Sequence, residues 1–124
     1  MEAVAILVKQ EIWCRDYNLN KKDNLADLPS QSAVFGVFAI VAGEPANCRF
    51  IGETTNLQAA IRNLFEEPGS DGMKKFMQGP WIRMLFYELL PDAGREERQK
   101  AVETWTRQYN PGVAEDGEYP GYYD

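Results

Sequence analysis

Residues 36–57 read GVFAIVAGEPANCRFIGETTNL, and this stretch decides the fold. Two runs rich in β-branched and aromatic residues, 36–41 and 48–52, flank a short segment that contains glycine and proline. Such runs on either side of a turn predict a β-hairpin. The polar cluster that follows predicts the start of a helix, with Thr55 or Thr54 as its N-cap. The stretch therefore predicts two strands that lead directly into one helix.

The hydrophobic pattern predicts four elements after the hairpin. Apolar residues at helical spacing favour helices, and the nearly continuous apolar run before Pro91 favours a central strand covered on both faces. The order strand, strand, helix, helix, strand, helix predicts an α+β domain with a small antiparallel three-stranded sheet flanked by helices. The four elements are a helix at 56–66, a short helix at 71–77, a strand at 81–90 and a helix at 94–109.

Both ends of the chain differ in character from its middle. The apolar run Ala3–Val8 fits a strand or the start of a helix, so a fourth, N-terminal strand stays open. Residues 11–28 mix aromatic with polar side chains, and we expect an irregular arm or short helix that lays its aromatic side chains on the core. After Asn110 we expect an acidic, aromatic tail of low intrinsic order. The predicted divisions are an arm at 1–28, a domain at 29–110 and a tail at 111–124.

Charge and composition limit the functions open to the chain. Its 124 residues carry a net charge of −6. Sequence-independent nucleic-acid binding draws its affinity from cationic side chains, so this charge disfavours it. The chain contains no histidine. A zinc site or a histidine-dependent triad hydrolase is therefore not expected.

The two cysteines and the hydropathy indicate the compartment. Cys14 and Cys48 lie in different segments without paired-cysteine metal spacing, which predicts two buried or half-buried thiols in a reducing environment. The sequence shows neither an apolar run of transmembrane length nor the pattern of a secretory signal peptide. We therefore expect a cytoplasmic protein without a membrane partner.

The two triplets of the hairpin, Gly36-Val37-Phe38 and Phe50-Ile51-Gly52, resemble the signature of the GIY-YIG nuclease family. The resemblance covers about residues 28–110. It implies the α+β fold predicted above and, in active members, cleavage of a phosphodiester by two signature tyrosines, a helix arginine and a metal-binding glutamate. Further residues that match the family pattern are Thr54, Asn56, Leu57, Tyr109 and Asn110.

The resemblance also implies that the active site is degenerate. Phe38 and Phe50 stand where the family has its tyrosines, and a phenyl ring has no hydroxyl that could exchange a proton. Ala60 stands where the family has its arginine. The metal-binding glutamate falls at or beside Arg98. We therefore lean against an enzyme and expect neither catalytic residues nor a cofactor.

Four residues are candidate surrogates for the missing groups. Arg62 lies two residues beyond Ala60, which is about 200° around a helix, and Tyr87 offers a hydroxyl. Glu97 and Glu103 are weak candidates for binding Mg²⁺, which a divergent nuclease would need. On a solvent-facing helix, ion pairs with neighbouring basic residues are the simpler explanation for these two glutamates.

A binding cleft beside the hairpin is the remaining candidate site. Its two aromatic residues, Phe38 and Phe50, have a simpler interpretation as core side chains. We predict a non-catalytic GIY-YIG-like interaction module, with a protein partner favoured over nucleic acid. The alternatives are a divergent metal-dependent endonuclease and a nucleic-acid binder that does not cleave. The predicted cleft residues are Gly36, Phe38, Phe50, Gly52, Thr54 and Asn56.

Overall fold

The computed structural model describes residues 6–17 and 22–120. These residues form a four-stranded antiparallel sheet with helices on both faces, which confirms the predicted α+β class. The strands are β1 (Val8–Glu11), β2 (Ala33–Val41), β3 (Glu44–Thr54) and β4 (Arg83–Leu89). The helices are α1 (Leu57–Glu66), α2 (Asp71–Gln78) and α3 (Arg95–Tyr109), and Leu25–Asp27 form one 3₁₀ turn.

The strand order in the sheet is β1-β4-β2-β3, and every neighbouring pair is antiparallel. β1 is a fourth, N-terminal strand that pairs with β4 at one edge of the sheet, but it shares only Val8 with the apolar run for which the sequence left a strand open. Ala3–Ala5, the first part of that apolar run, lie outside the described residues. The long β3 forms the other edge, so β2 and β4 are central.

The β2–β3 hairpin is longer than the sequence pattern predicts. Its turn is only Ala42-Gly43, with φ angles of 52° and 80°. Positive φ at both residues is typical of a type I′ turn, whose twist matches that of the two strands in a tight hairpin. Glu44 and Pro45, which we expected in the turn, are the first residues of β3. Proline is tolerated there because β3 is an edge strand.

Helix α1 is capped by Asn56, so the predicted threonine N-cap is wrong. The Asn56 side chain accepts a hydrogen bond from Ala59 N at 3.1 Å. The Thr54 hydroxyl instead accepts a bond from Asn56 N and donates one to Asn56 O. Thr54 therefore fixes the turn before the helix, and the asparagine satisfies the N–H of Ala59, the third residue of the helix.

Two apolar clusters lie on opposite faces of the sheet. Helices α1 and α2 cover one face, and α3 covers the other. On the α1/α2 face the buried residues include Phe35, Val37, Ile61, Phe65, Phe76 and Leu85. On the α3 face they are Val34, Phe38, Cys48, Phe86 and Trp105.

The N-terminal arm contributes to the larger cluster. Ile12 and Leu25 are fully buried against the α1/α2 face. The ring of Tyr17 stacks on Phe65 with 6.4 Å between centroids. As predicted, the described part of the arm lays an aromatic side chain on the core. Asn18–Lys21 lie outside the described residues.

Residues 111–120 fold back onto the domain. Nε of Arg49 donates to the carbonyl of Gly117 at 3.1 Å, and the Arg49 guanidinium is almost completely buried. Gly112 N donates to a β3 carbonyl. The expectation of low order is therefore wrong for this segment, because a buried cation anchors it. The last four residues, 121–124, lie outside the described residues.

Candidate functional site

The two aromatic residues at the centre of the predicted cleft lie on opposite faces of the sheet. Phe38 is 5% exposed on the α3 face, with its ring 4.2 Å from that of Phe86 and 5.1 Å from that of Tyr109. Phe50 is half-buried on the α1/α2 face beside Phe35, at 5.9 Å. The two rings therefore do not line one cleft.

The register of β2 against β3 places the two rings on opposite faces. Phe50 lies opposite Val37 in β2, whereas Phe38 lies opposite Cys48. Arg49 is the extra residue between these two pairs. Side chains alternate between faces along a strand. Val37 and its partner Phe50 therefore point to one face, and Phe38 and its partner Cys48 point to the other.

The two glycines of the triplets each make room for rings on their own face. A Cβ added at Gly36 would lie 3.2 Å from the ring of Phe38. A Cβ added at Gly52 would lie 2.9 Å from the rings of Phe35 and Phe50. The glycines therefore serve aromatic packing, and they do not open a shared concave surface.

The residues around the expected arginine position are engaged elsewhere. Ala60 packs against the core. The guanidinium of Arg62 pairs with the Asp23 carboxylate at 3.4 Å, and this hydrogen bond raises the pKa of Arg62. Burial raises the pKa of Asp23, but hydrogen bonds from Leu25 N and Arg62 outweigh it, so the net shift is downward. Arg62 is thereby tied to the N-terminal arm.

Tyr87 does not lie beside Phe38. It is 7% exposed in the α1/α2 cluster, opposite Phe35 in β2 and Val8 in β1. Its position is that of a core residue, and the sheet separates it from the Phe38 ring.

The candidate metal ligands on α3 do not converge. Glu97 and Glu103 are both exposed and lie six residues apart, which is about 240° around the helix and about 9 Å along its axis. Arg98 instead bonds the Glu53 carboxylate through Nε at 2.5 Å and the Ala93 carbonyl at 2.8 Å. Across 6–17 and 22–120 no three His, Cys, Asp or Glu side chains are grouped to hold a metal ion. The carboxylates present therefore do not fit the metal site that the resemblance implies.

A groove lies between the outer edge of β3 and the flank of α3, and we call it the β3–α3 groove. Its volume is about 380 Å³. Its lining includes Gly52 from the predicted cleft and Glu103 from the metal candidates, which sequence reasoning had assigned to separate sites. The residues that line it are Gly52, Glu53, Gln99, Val102 and Glu103.

A second, larger groove of about 610 Å³ lies at the C-terminal end of α2. Its exposed side chains are of both charges, with Lys74 and Lys75 beside Asp71 and Asp116. The indole of Trp81 forms part of this groove and packs on the ring of Phe76 at 5.8 Å. The mixed charge gives this groove no preference for a ligand of one sign.

Two arginines are buried, which no pattern in the sequence indicates. Arg83 is fully buried and donates through Nη1 to Phe76 O at 2.7 Å and Gly79 O at 3.3 Å, at the C-terminal end of α2. Burial lowers the pKa of Arg83 to about 10. Burial also lowers the pKa of Arg49, which stacks over Phe76 at 4.9 Å. Both cations act within the fold and are withdrawn from the surface.

Both cysteines are buried thiols, as predicted. Cys48 lies under α3, and burial raises its pKa to about 12. Burial also raises the pKa of Cys14. A thiol with a raised pKa carries little reactive thiolate near neutral pH, so neither position has the properties of a nucleophile.

No protein-family model, curated protein or solved structure matches this chain. In the portion that the structure describes, no helix is long and apolar enough to span a bilayer.

Proposed function

We propose that this chain is a non-catalytic GIY-YIG-like domain that acts as an interaction module for a protein partner in the cytoplasm. One observation carries the proposal. The positions assigned to the signature tyrosines hold phenyl rings, and these rings pack on opposite faces of the sheet. Hydroxyls restored at Phe38 and Phe50 would not meet at one phosphate, so the arrangement supports a scaffold role.

The placement of the surrogate residues supports the same conclusion. Arg62 is bound to Asp23, and Tyr87 is inside the core. Glu97 and Glu103 point to different sides of α3. Phosphodiester cleavage needs a proton acceptor, a charge clamp and a metal within bonding distance of one substrate. These four side chains do not supply that arrangement.

Charge favours protein over nucleic acid as the partner. The chain has 13 lysines and arginines against 19 acidic residues. Two of the cations, Arg49 and Arg83, are buried and do not add to the surface potential. Phosphate backbones require exposed cations, whereas a protein partner can use an acidic groove and an open strand edge.

A cleavage assay tests the proposal. Labelled single-stranded, double-stranded and branched DNA would be incubated with Mg²⁺ or Mn²⁺ and the wild-type chain, with the double variant Phe38→Tyr, Phe50→Tyr in parallel. We expect no cleavage by either protein, because the two hydroxyls would project from opposite faces.

The control is the double variant Glu97→Ala, Glu103→Ala. Metal-dependent cleavage by the wild type that this variant abolishes would overturn the proposal and favour a divergent endonuclease. Salt-dependent DNA binding without cleavage would also overturn it, in favour of a nucleic-acid binder.

A further inference from the structure

Alternate residues of β3 turn their backbone groups away from the sheet. Ile40 N donates to Ile82 O, so the even-numbered residues of β2 bond to β4. In an antiparallel ladder, hydrogen-bonded and non-hydrogen-bonded pairs alternate along the strand. The β3 partners of even-numbered β2 residues therefore turn their N–H and C=O groups outward. On the C-terminal side of the bulge at Arg49 these partners are Ile51 and Glu53.

The fold closes this edge only in part. Gly112 N donates to Cys48 O at 3.0 Å, which covers the edge beside the bulge. From the remainder of the described chain, no hydrogen bond reaches the backbone of Ile51 or Glu53. Each residue carries one N–H and one C=O group. The edge thus offers two donors and two acceptors to a further strand.

The β3–α3 groove lies directly beside this open edge and has an acidic lining. Glu53 already pairs with Arg98, whereas Glu103 is exposed on the flank of α3. Val102 adds an apolar side chain to the lining of the groove. With a net charge of −6 on the whole chain, the groove favours a positively charged occupant.

We propose that the β3–α3 groove binds a basic, extended segment of another protein, which pairs with Ile51 and Glu53 as a fifth strand. This inference rests on the interaction function proposed above. Alternate side chains of an added strand point to opposite faces. Basic side chains on the α3 face would meet Glu103, and apolar side chains on the other face would cover the half-buried ring of Phe50.

A second copy of this chain is a poorer occupant. Pairing β3 with β3 of another copy would bring the carboxylates of Glu53 and Glu103 from both copies together. Like charges facing each other across a strand pair are destabilising. The geometry therefore favours a partner of opposite charge.

Peptide binding to the full chain tests the inference. The probe is a fluorescein-labelled seven-residue peptide of alternating lysine and valine. Its control has the same composition with all lysines placed before all valines, so the charge is unchanged and the alternation is lost. We expect fluorescence anisotropy to show at least about tenfold tighter binding of the alternating peptide, because only it presents one basic and one apolar face. Backbone amide shifts in NMR spectra should centre on Ile51 and Glu53.

Two charge reversals on α3 separate position from net charge. Glu103→Lys lies in the groove, and Glu97→Lys lies on another side of the same helix. Both raise the net charge by the same amount. We expect Glu103→Lys to weaken binding of the alternating peptide about tenfold and Glu97→Lys to change it less than about twofold.

Three peptide results would overturn the inference: no binding of the alternating peptide, equal binding of both peptides, or equal loss in both variants. A fourth result, self-association that sedimentation detects and that shifts the backbone amide signals of Ile51 and Glu53, would overturn it in favour of a second copy. None of these results involves DNA cleavage, so a failed inference is distinguishable from a failed proposal of function.

Discussion

The two edge strands of the sheet are protected in different ways. At β1 the side chain of Asn24 imitates a neighbouring strand: its Oδ1 accepts from Trp13 N at 2.8 Å and its Nδ2 donates to Glu11 O at 2.7 Å. At β3 the returning tail covers Cys48 and leaves Ile51 and Glu53 facing outward. Unprotected edges invite further pairing, so folds usually block them. Each edge is therefore closed only in part: Asn24 covers β1 at Glu11 and Trp13 but not at Lys9, and the tail covers β3 at Cys48 but not at Ile51 and Glu53.

The two closures also differ in their chemistry. The β1 closure uses a side-chain amide close in sequence, from an arm that packs on the core. The β3 closure depends on Arg49, which holds the tail through the carbonyl of Gly117 and a longer contact of 4.0 Å to Glu118. Substitutions at Asn24 and at Arg49 therefore test how much each closure stabilises the fold.

The largest expected effect comes from removing the anchor of the tail. Arg49→Ala deletes a buried cation and leaves the carbonyls of Asn47 and Gly117 without their donors. We expect a loss of about 3 kcal/mol in the free energy of unfolding, measured by denaturant titration. Limited proteolysis after Glu115 and Glu118 should become faster, because the segment would no longer be held.

The control for this variant is Arg107→Ala, because Arg107 is exposed on α3. We expect a change of no more than about 0.5 kcal/mol there. Equal losses in the two arginine variants would contradict the anchoring role of Arg49.

Opening the β1 edge should have the next largest effect. Asn24→Ala removes the two side-chain bonds that satisfy Trp13 N and Glu11 O. We expect a loss of about 2 kcal/mol in the free energy of unfolding. Asn63→Ala is the matched control, since Asn63 is exposed on α1, and alanine there should be neutral or slightly stabilising. A loss at Asn24 no larger than the change at Asn63 would show that the β1 edge is not closed by this amide.

A change at the open edge itself should cost less. In Gly52→Ala the new methyl would lie 2.9 Å from the rings of Phe35 and Phe50, so both rings must shift. We expect a loss of about 1.5 kcal/mol in the free energy of unfolding, by thermal or denaturant titration. At Gly94 an added Cβ meets nothing within 4 Å, which makes Gly94→Ala the control, with only the cost of alanine at the N-cap of α3, about 0.5 kcal/mol. Tolerance of alanine at both positions would contradict the tight packing behind β3.

The smallest expected effect concerns how the free energy of unfolding depends on pH through Asp23 in the N-terminal arm. The pKa of Asp23 lies below its ordinary value of 3.8 in the folded chain, because hydrogen bonds from Leu25 N and Arg62 outweigh its burial. A lowered pKa of a carboxyl group stabilises the fold above the ordinary value, and this stability is lost as the pH falls through the folded pKa. At pH 7 we expect the free energy of unfolding of the wild type to exceed that of Asp23→Asn by less than about 1 kcal/mol. This difference should disappear as the pH falls below 3.8 and through the pKa of Asp23 in the folded chain. A difference in the free energy of unfolding that stays constant from pH 7 to pH 3 would contradict this coupling.

Much of the fold follows from local sequence patterns. The alternating and apolar runs located β2, β3 and β4, and helical spacing located all three helices to within a few residues. The capping of α1 was missed because two threonines and an asparagine follow one another, and only the final backbone angles select Asn56 as the cap. The candidate site was much less predictable. Phe38 and Phe50 looked like neighbours by spacing, but Phe50 pairs with Val37 across the hairpin, so its ring lies on the face opposite to that of Phe38.

The sequence by itself determined the fold class, the order of the elements and the absence of histidine chemistry, because turn residues and hydrophobic period act over a few neighbouring positions. Only the tertiary structure decided where each strand edge is closed, which arginines are buried and which glutamates border the groove. These features join residues far apart in the chain, such as Arg49 with Gly117 and Gly52 with Glu103. Their contacts depend on strand register and on the return of the tail, and a shift of one residue in β3 would reverse them.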